Sequence, residues 1–318
     1  MAPDGLIPKQ TVGPYRVLRL LGRGAMGAVY LAQPAQQSQA TMAAGPGGND
    51  AVALKVLPLP READGRAALQ SRFAAEMAMA SRLRHPGIAT TLAAGTEGVD
   101  GGLAWIAMEL APGVPLDRYT RPARLLPEAL VLHLVQRIAE ALSHAHGAGV
   151  VHRDVKPANV MVELPTGSLR VTDFGIAHLA DAERTRTGLV LGSPAFLAPE
   201  QLAGGAATPA GDLYALGVTL FQMLTGRLPF DAASMGELLR QVATAPPPPL
   251  AHLRPDLPPA LAEPLATLLS RLLAKRPAQR PADAFALAAE LVALRARLWP
   301  AAGGPKSRLA APPDGWRA

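Results

Sequence analysis

Apolar and polar residues alternate through YRVLRLLGRGAMGAVYLAQ, Tyr15 to Gln33, on both sides of three glycines. That period of two predicts a pair of antiparallel strands joined by a glycine turn. AVALKVLPL, from Ala51, is a nearly continuous apolar strand interrupted by one lysine, Lys55. From Leu69 the period lengthens: Leu69, Phe73, Met77, Ala80 and Leu83 recur at helical spacing and the helix should stop at HPG, His85 to Gly87. Two more strands fit IATTLAAGTE and LAWIAMEL, so up to about Leu110 the pattern predicts a five-stranded antiparallel sheet with one helix.

Beyond APGVP the pattern turns helical. PEALVLHLVQRIAEALSHAHGAG places Leu130, Leu134, Ile138 and Ala141 on one face, with Pro127 and Glu128 at its start and Gly147 at its end. DLYALGVTLFQMLTG, Asp212 to Gly226, is apolar nearly all round, as in a helix buried on every side. Further helices fit SMGELLRQVAT, PPALAEPLATLLSRLLA and ADAFALAAELVALRARL, with APPPPL as a stiff connector. The segment from Pro34 to Asp50, rich in Gly, Gln, Ser and Ala, predicts a flexible loop, and residues 1–14 and 299–318 read as tails. The expected fold class is therefore α+β, a small sheet-bearing part followed by a larger helical one.

Composition narrows the classes. The chain has 318 residues, 49% hydrophobic and 18% charged, which suits a folded domain with a sizeable core. It has no cysteine, which removes disulfides and thiolate–zinc sites. The net charge of +6 would suit an anionic partner. The Lys and Arg are scattered, however, and no basic run interleaves with aromatics, so nucleic acid is not the expected partner. No apolar run is long enough to span a bilayer, and the start MAPDGLIPKQ lacks the order of a signal peptide.

Gly22, Gly24 and Gly27 have the G-x-G-x-x-G spacing that fits a dinucleotide loop, a cover over ATP phosphates, or a plain hairpin turn. A dinucleotide site needs a helix after the glycines, and GAVYLAQ is a strand; the Lys-Ser/Thr ending of a phosphate-binding P-loop is also missing. A hairpin and a phosphate cover remain. VVHRDVKPANVMV, Val150 to Val162, sets Asp154, Lys156 and Asn159 within six residues: a base, a cation and an amide able to meet a metal. VTDFGIA places an aspartate, Asp173, between an apolar strand and an aromatic–glycine pair.

LGRGAMGAVY, VALK, HRDVKPAN, DFG and APE occur in the order of the protein kinase signature set, and the chain resembles a bacterial Ser/Thr protein kinase of the eukaryotic-like type. The resemblance runs from about Tyr15 to Leu298. It implies the bilobal kinase fold, with a small lobe over about 15–110 and a mainly helical large lobe over about 111–298. It also implies γ-phosphoryl transfer from ATP to Ser/Thr hydroxyls of proteins with Mg²⁺, for which Mn²⁺ can substitute. Lys55 would reach the α and β phosphates and Glu76 would pair with it. Asp154 would orient or accept the substrate hydroxyl proton, Lys156 would stabilise the transferring phosphate, and Asn159 and Asp173 would hold the metal.

The nucleotide site implied by the resemblance comprises Leu21, Gly22, Gly24, Gly27, Val29, Ala53, Lys55 and Met161, with Met108 as gatekeeper and Glu109 to Ala111 as hinge. His152 and Phe174 would be packing residues. Thr185 and Thr187 stand where the family carries activating phosphates, with Arg153 as the cation for them, and Ser193 takes the place of a threonine near Asp154 and Lys156. Glu200 and Arg280 resemble the ion pair that anchors the activation segment. Homodimerisation for trans-autophosphorylation, through the small lobe, and a cytoplasmic location, or that of the cytoplasmic domain of a membrane-anchored kinase, are likewise implied. Two rivals make different demands. A pseudokinase would lack Lys55, Asp154 or Asp173, and a small-molecule phosphotransferase would not be expected to carry GSPAFLAPE.

Overall fold

The structure is a computed structural model and describes residues 9–24, 27–35, 51–59, 63–97, 102–174 and 194–300, with the backbone alone over 63–69. The chain divides into two compact units, one holding most of residues up to Ala111 together with Asp173 and Phe174, the other holding most of the rest.

The first unit is a six-stranded antiparallel sheet and one helix. Strands β1 (Thr11–Val12), β2 (Tyr15–Gly24), β3 (Gly27–Pro34) and β4 (Val52–Pro58) precede helix α1 (Ala63–Ala80), and β5 (Thr91–Glu97) and β6 (Leu103–Glu109) follow it. The sheet order is β1-β2-β3-β4-β6-β5. The five expected strands are thus joined by the two-residue β1, which pairs Thr11 with Arg16 and Val12 with Tyr15. Two residues are too few for alternation to show, which is why the sequence reads as tail there. Helix α1 begins six residues before Leu69, because its first turns carry little apolar signal.

Alternation gives the sheet two different faces. Tyr15, Val17, Ala28, Tyr30, Ala32, Leu54, Val56 and Ala107 bury one of them, with Trp105 edge-on to Tyr15 at 5.8 Å between ring centres. On the other, Phe73, Met77 and Ala80 of α1 pack on Ile106 and Met108. Val29, Ala53 and Lys55 share that second face and are only half-buried.

The second unit is mainly helical. A small sheet of β7 (Val114–Pro115), β8 (Val160–Glu163) and β9 (Ser168–Val171) accompanies α2 (Glu128–Gly147). After them come α3 (Pro199–Leu202), α4 (Pro209–Thr225), α5 (Met235–Thr244), α6 (Leu250–Leu253), α7 (Pro259–Leu272) and α8 (Ala284–Leu298). Helix α4 is buried along nearly its whole length, as its continuous apolarity predicts, and it packs on α2 and α7. Thr208 starts it by accepting the Gly211 N–H on its hydroxyl at 3.2 Å. Ser234 and Asp283 cap α5 and α8 in the same way. The APPPPL connector runs directly into α6, a single helical turn that the sequence pattern did not announce.

Candidate active site

In the first unit the glycine loop is a hairpin. Gly22 pairs with Val29, and Gly24 with Gly27, across the turn of β2 and β3. Packing requires only one of the three glycines: Gly27 has φ +147°, and a Cβ on it would collide with the Val56 carbonyl oxygen. Among the described residues a Cβ on Gly22 would meet nothing within 4 Å, and one on Gly24 only the Gly27 carbonyl oxygen at that limit. Packing among the described residues therefore does not account for those two. Ala25 and Met26, at the tip, lie outside the described residues.

Strand β4 sets Lys55 beside Val29 on β3 and Ile106 on β6, and Ala53 beside Met108. Lys55 Nζ lies 2.9 Å from Asp173 Oδ2, with both side chains largely buried. The carboxylate partner that a lone buried lysine demands is thus present as Asp173. Glu76 is half-buried in α1 beside Met77. Glu109 is tied to the loop before β5: its N–H donates to the Thr90 carbonyl at 2.9 Å and its Oε2 accepts from the Thr90 N–H at 3.2 Å. Leu21 is exposed on β2, while Met108 is buried and Ala111 half-buried.

The second unit holds the other set, on the loop between α2 and β8. Lys156 Nζ straddles the Asp154 carboxylate, 3.0 Å from Oδ1 and 2.7 Å from Oδ2. Asn159 Nδ2 donates to the Asp154 carbonyl at 2.8 Å and to its Oδ2 at 2.9 Å. With both amide hydrogens used, Asn159 presents its Oδ1 as a free acceptor, the atom type a hard cation takes. His152 is fully buried; its Nδ1 accepts from the Asp154 N–H at 3.2 Å, so its Nε2 carries the proton and donates to the Thr172 carbonyl at 2.8 Å. Thr172 N–H in turn donates to the Asn159 carbonyl. Met161 is half-buried on β8, paired with Pro115 on one side and Arg170 on the other.

One residue of this site escapes the motif reading. Asp212, in the first turn of α4, is buried and accepts from the His152 N–H on Oδ2 and from the Arg153 N–H on Oδ1, each at 2.8 Å. His146 Nε2 lies 2.8 Å from the same Oδ2. The anchor has a reason: Arg153 sits at φ +72°, a left-handed conformation that costs a non-glycine residue roughly 1–3 kcal/mol unless its surroundings hold it. Asp173, at φ +66°, shares that conformation. An acid at the head of an otherwise apolar helix was the available signal for Asp212, since a buried carboxylate needs donors.

Elsewhere in the second unit, Arg280 meets Glu200 bidentately, Nη1 to Oε1 at 2.6 Å and Nη2 to Oε2 at 2.8 Å. Its remaining donors go to the carbonyls of Ala210, Ala274 and, more distantly, Lys275. Gly175, Thr185, Thr187 and Ser193 lie outside the described residues. Among the described residues no three His, Asp or Glu side chains gather as a metal cage, so a divalent cation on Asn159 or Asp173 would need phosphate oxygens to complete its shell.

Each unit thus pairs a lysine with a carboxylate, the charge types that phosphoryl transfer employs. Comparison with known proteins agrees. The protein kinase domain family model matches residues 15–292. Over 250 residues the chain is 37% identical to the serine/threonine-protein kinase PknA of Mycobacterium tuberculosis, covering 78% of this chain and 54% of that one. It is 36% identical to PrkC of Bacillus subtilis over 254 residues, covering 80% of this chain and 37% of the relative. It thus spans about half, or less, of the length of these relatives. The crystal structure of the Mycobacterium tuberculosis PknI kinase domain matches with a TM-score of 0.69 at 32% identity, over 91% of this chain and 100% of that one. No described helix is long and apolar enough to cross a membrane. Its sheet-and-helix unit, its helical unit and the family match together make the chain a member of the protein kinase family.

Proposed function

We propose that the chain transfers the γ-phosphoryl group of Mg-ATP to Ser and Thr hydroxyls of proteins. The observation that carries this reading is the Asp154–Lys156–Asn159 cluster, in which a carboxylate is held between a cation and an amide on one short loop. Asp154 orients the substrate hydroxyl and takes its proton. Lys156 compensates the charge on the transferring phosphate, and Lys55 that on the α and β phosphates, with Glu76 positioning Lys55. Asn159 and Asp173 fit Mg²⁺: Asn159 keeps Oδ1 open, and Asp173, paired with Lys55 through Oδ2, keeps Oδ1. The ion supplies charge neutralisation and orientation of the phosphates. Val29, Ala53, Met108, Glu109, Ala111 and Met161 receive the adenine, and Leu21, Gly22, Gly24 and Gly27 cover the phosphates. Lys156-Pro157 resembles the Ser/Thr branch of the family, and the relatives' descriptions as serine/threonine-protein kinases support the same choice.

Autophosphorylation at Thr185 or Thr187 is proposed as the activating event. Incubation with Mg-ATP followed by phosphosite mapping tests both statements, with Asp154→Asn as the control. Label at Thr185 or Thr187 in the parent chain and none in the variant is expected. Equal labelling of the two would remove Asp154 from its role. Transfer to casein but not to an aminoglycoside or choline separates a protein kinase from a small-molecule phosphotransferase.

A further inference from the structure

Helix α8 is apolar on two opposite sides, and only one of them is covered. Ala284, Leu287, Ala288, Leu291 and Leu294 are buried, and the helix packs on α2. On the opposite side Phe285 is 72% exposed and Val292 49%, and Ala289 and Ala296 are also exposed. Phe285, Ala289, Val292 and Ala296 follow one another at steps of four, three and four, the seam spacing of paired helices, and Trp299, 38% exposed, is the C-cap just beyond. A helix apolar on both sides is normally covered on both.

We infer that this stripe pairs antiparallel with the same stripe of a second copy of the chain. Size and charge select that occupant in one register. Setting Phe285 opposite Ala296 of the second copy also sets Val292 opposite its Ala289, so each of the four layers joins one large and one small side chain. The exposed Ala286 and Ala293 flank the seam and let the backbones approach. Charge is also placed asymmetrically on it: Asp283 caps its start and Arg297 stands exposed in its last turn, while Glu290 is already paired with Arg271 and Arg295 with Gln136. The same register carries the exposed Arg297 to the Asp283 end of the second copy, and antiparallel helices oppose their dipoles favourably. A parallel pair would set like charges and Phe285 against Phe285. The seam covers fewer heptads than a free-standing coiled coil needs, so the pairing is weak and depends on concentration. It uses the helical unit, not the small lobe that the family resemblance suggests, and it stands whatever reaction the chain performs.

The absence of cysteine makes the register directly testable by crosslinking. The chain carrying Phe285→Cys is mixed with the chain carrying Ala296→Cys under a mild copper–phenanthroline oxidant. The mixed disulfide dimer should exceed either self-disulfide several-fold, because two Phe285 positions would lie about 16 Å apart along the pair. Ala278→Cys, exposed and off the stripe, reports random collision. Sedimentation of the parent chain should show a weight-average mass rising toward the dimer in the tens-of-micromolar range. Phe285→Glu should stay monomeric with unchanged circular dichroism. Three results would each overturn the proposal: a parent chain that stays monomeric throughout, Phe285→Cys linking to itself as readily as to Ala296→Cys, or a monomer whose binding to anionic phospholipid vesicles is lost in Phe285→Glu.

Discussion

At the scale of single residues, Asp212 bears the most on the site. Its two oxygens serve two backbone N–H donors, so the isosteric Asp212→Asn exchanges one acceptor for a donor and leaves a buried N–H facing an NH₂. We expect a loss of about 1–3 kcal/mol in denaturant unfolding, together with a fall in kcat, since Arg153 is then no longer held left-handed next to Asp154. Lys275 is the residue whose titration should be visible. Its ammonium lies 4.1 Å from the Phe230 ring centre and donates to the Val242 carbonyl at 2.7 Å. Burial, with Arg280 adding repulsion, pulls its pKa from 10.5 down to about 8. The unfolded chain therefore holds the extra proton between about pH 8 and 10.5, and this residue's contribution to stability rises with pH across that window. Because the group is only half-buried, the gain is on the order of 1 kcal/mol, after allowing for solvent screening. Lys275→Met should flatten the melting temperature against pH over that range relative to the parent chain. An unchanged difference between the two from pH 8 to 10 would contradict the assignment.

At the scale of elements, α4 organises the helical unit, and its fit is tightest at Gly217. A Cβ there would lie 2.7 Å from the Leu272 Cβ of α7. Gly217→Ala should cost about 1–3 kcal/mol by overpacking, against the few tenths of a kcal/mol to about 1 that alanine ordinarily gains in a helix. The long helices were legible in the sequence because each carries an apolar period; Ser234 and Asp283 stand where their types predict a start, while Thr208 caps α4, which begins three residues before the expected Asp212. What stayed hidden was local and short. Strand β1 has two residues and α6 four, too few for any period to register. The site was legible in a different way. Lys55, Asp154, Lys156, Asn159 and Asp173 came from ordered motifs, whereas Asp212 sits in no motif among those read and shows itself only once α4 meets the loop. The carboxylate found on Lys55 is Asp173, from a motif more than a hundred residues away, a pairing that helical spacing around Glu76 could not suggest.

At the scale of the whole molecule, the two units divide the candidate residues: the sheet unit carries Lys55 with Asp173, the helical unit carries Asp154, Lys156 and Asn159. A loop of this composition, with its proline and polar side chains, would ordinarily open to solvent long before a protein unfolds. Here the amide hydrogens of His152 and Arg153 point at a buried carboxylate on the core helix, and that changes their timescale. Native-state hydrogen exchange should find these two amides among the slowest in the helical unit, exchanging only when α4 itself comes apart. Asp212→Asn should release both without speeding the middle of α4. The clock of the loop is then the clock of the core, and Asp154 keeps its place for as long as the helical unit stays folded.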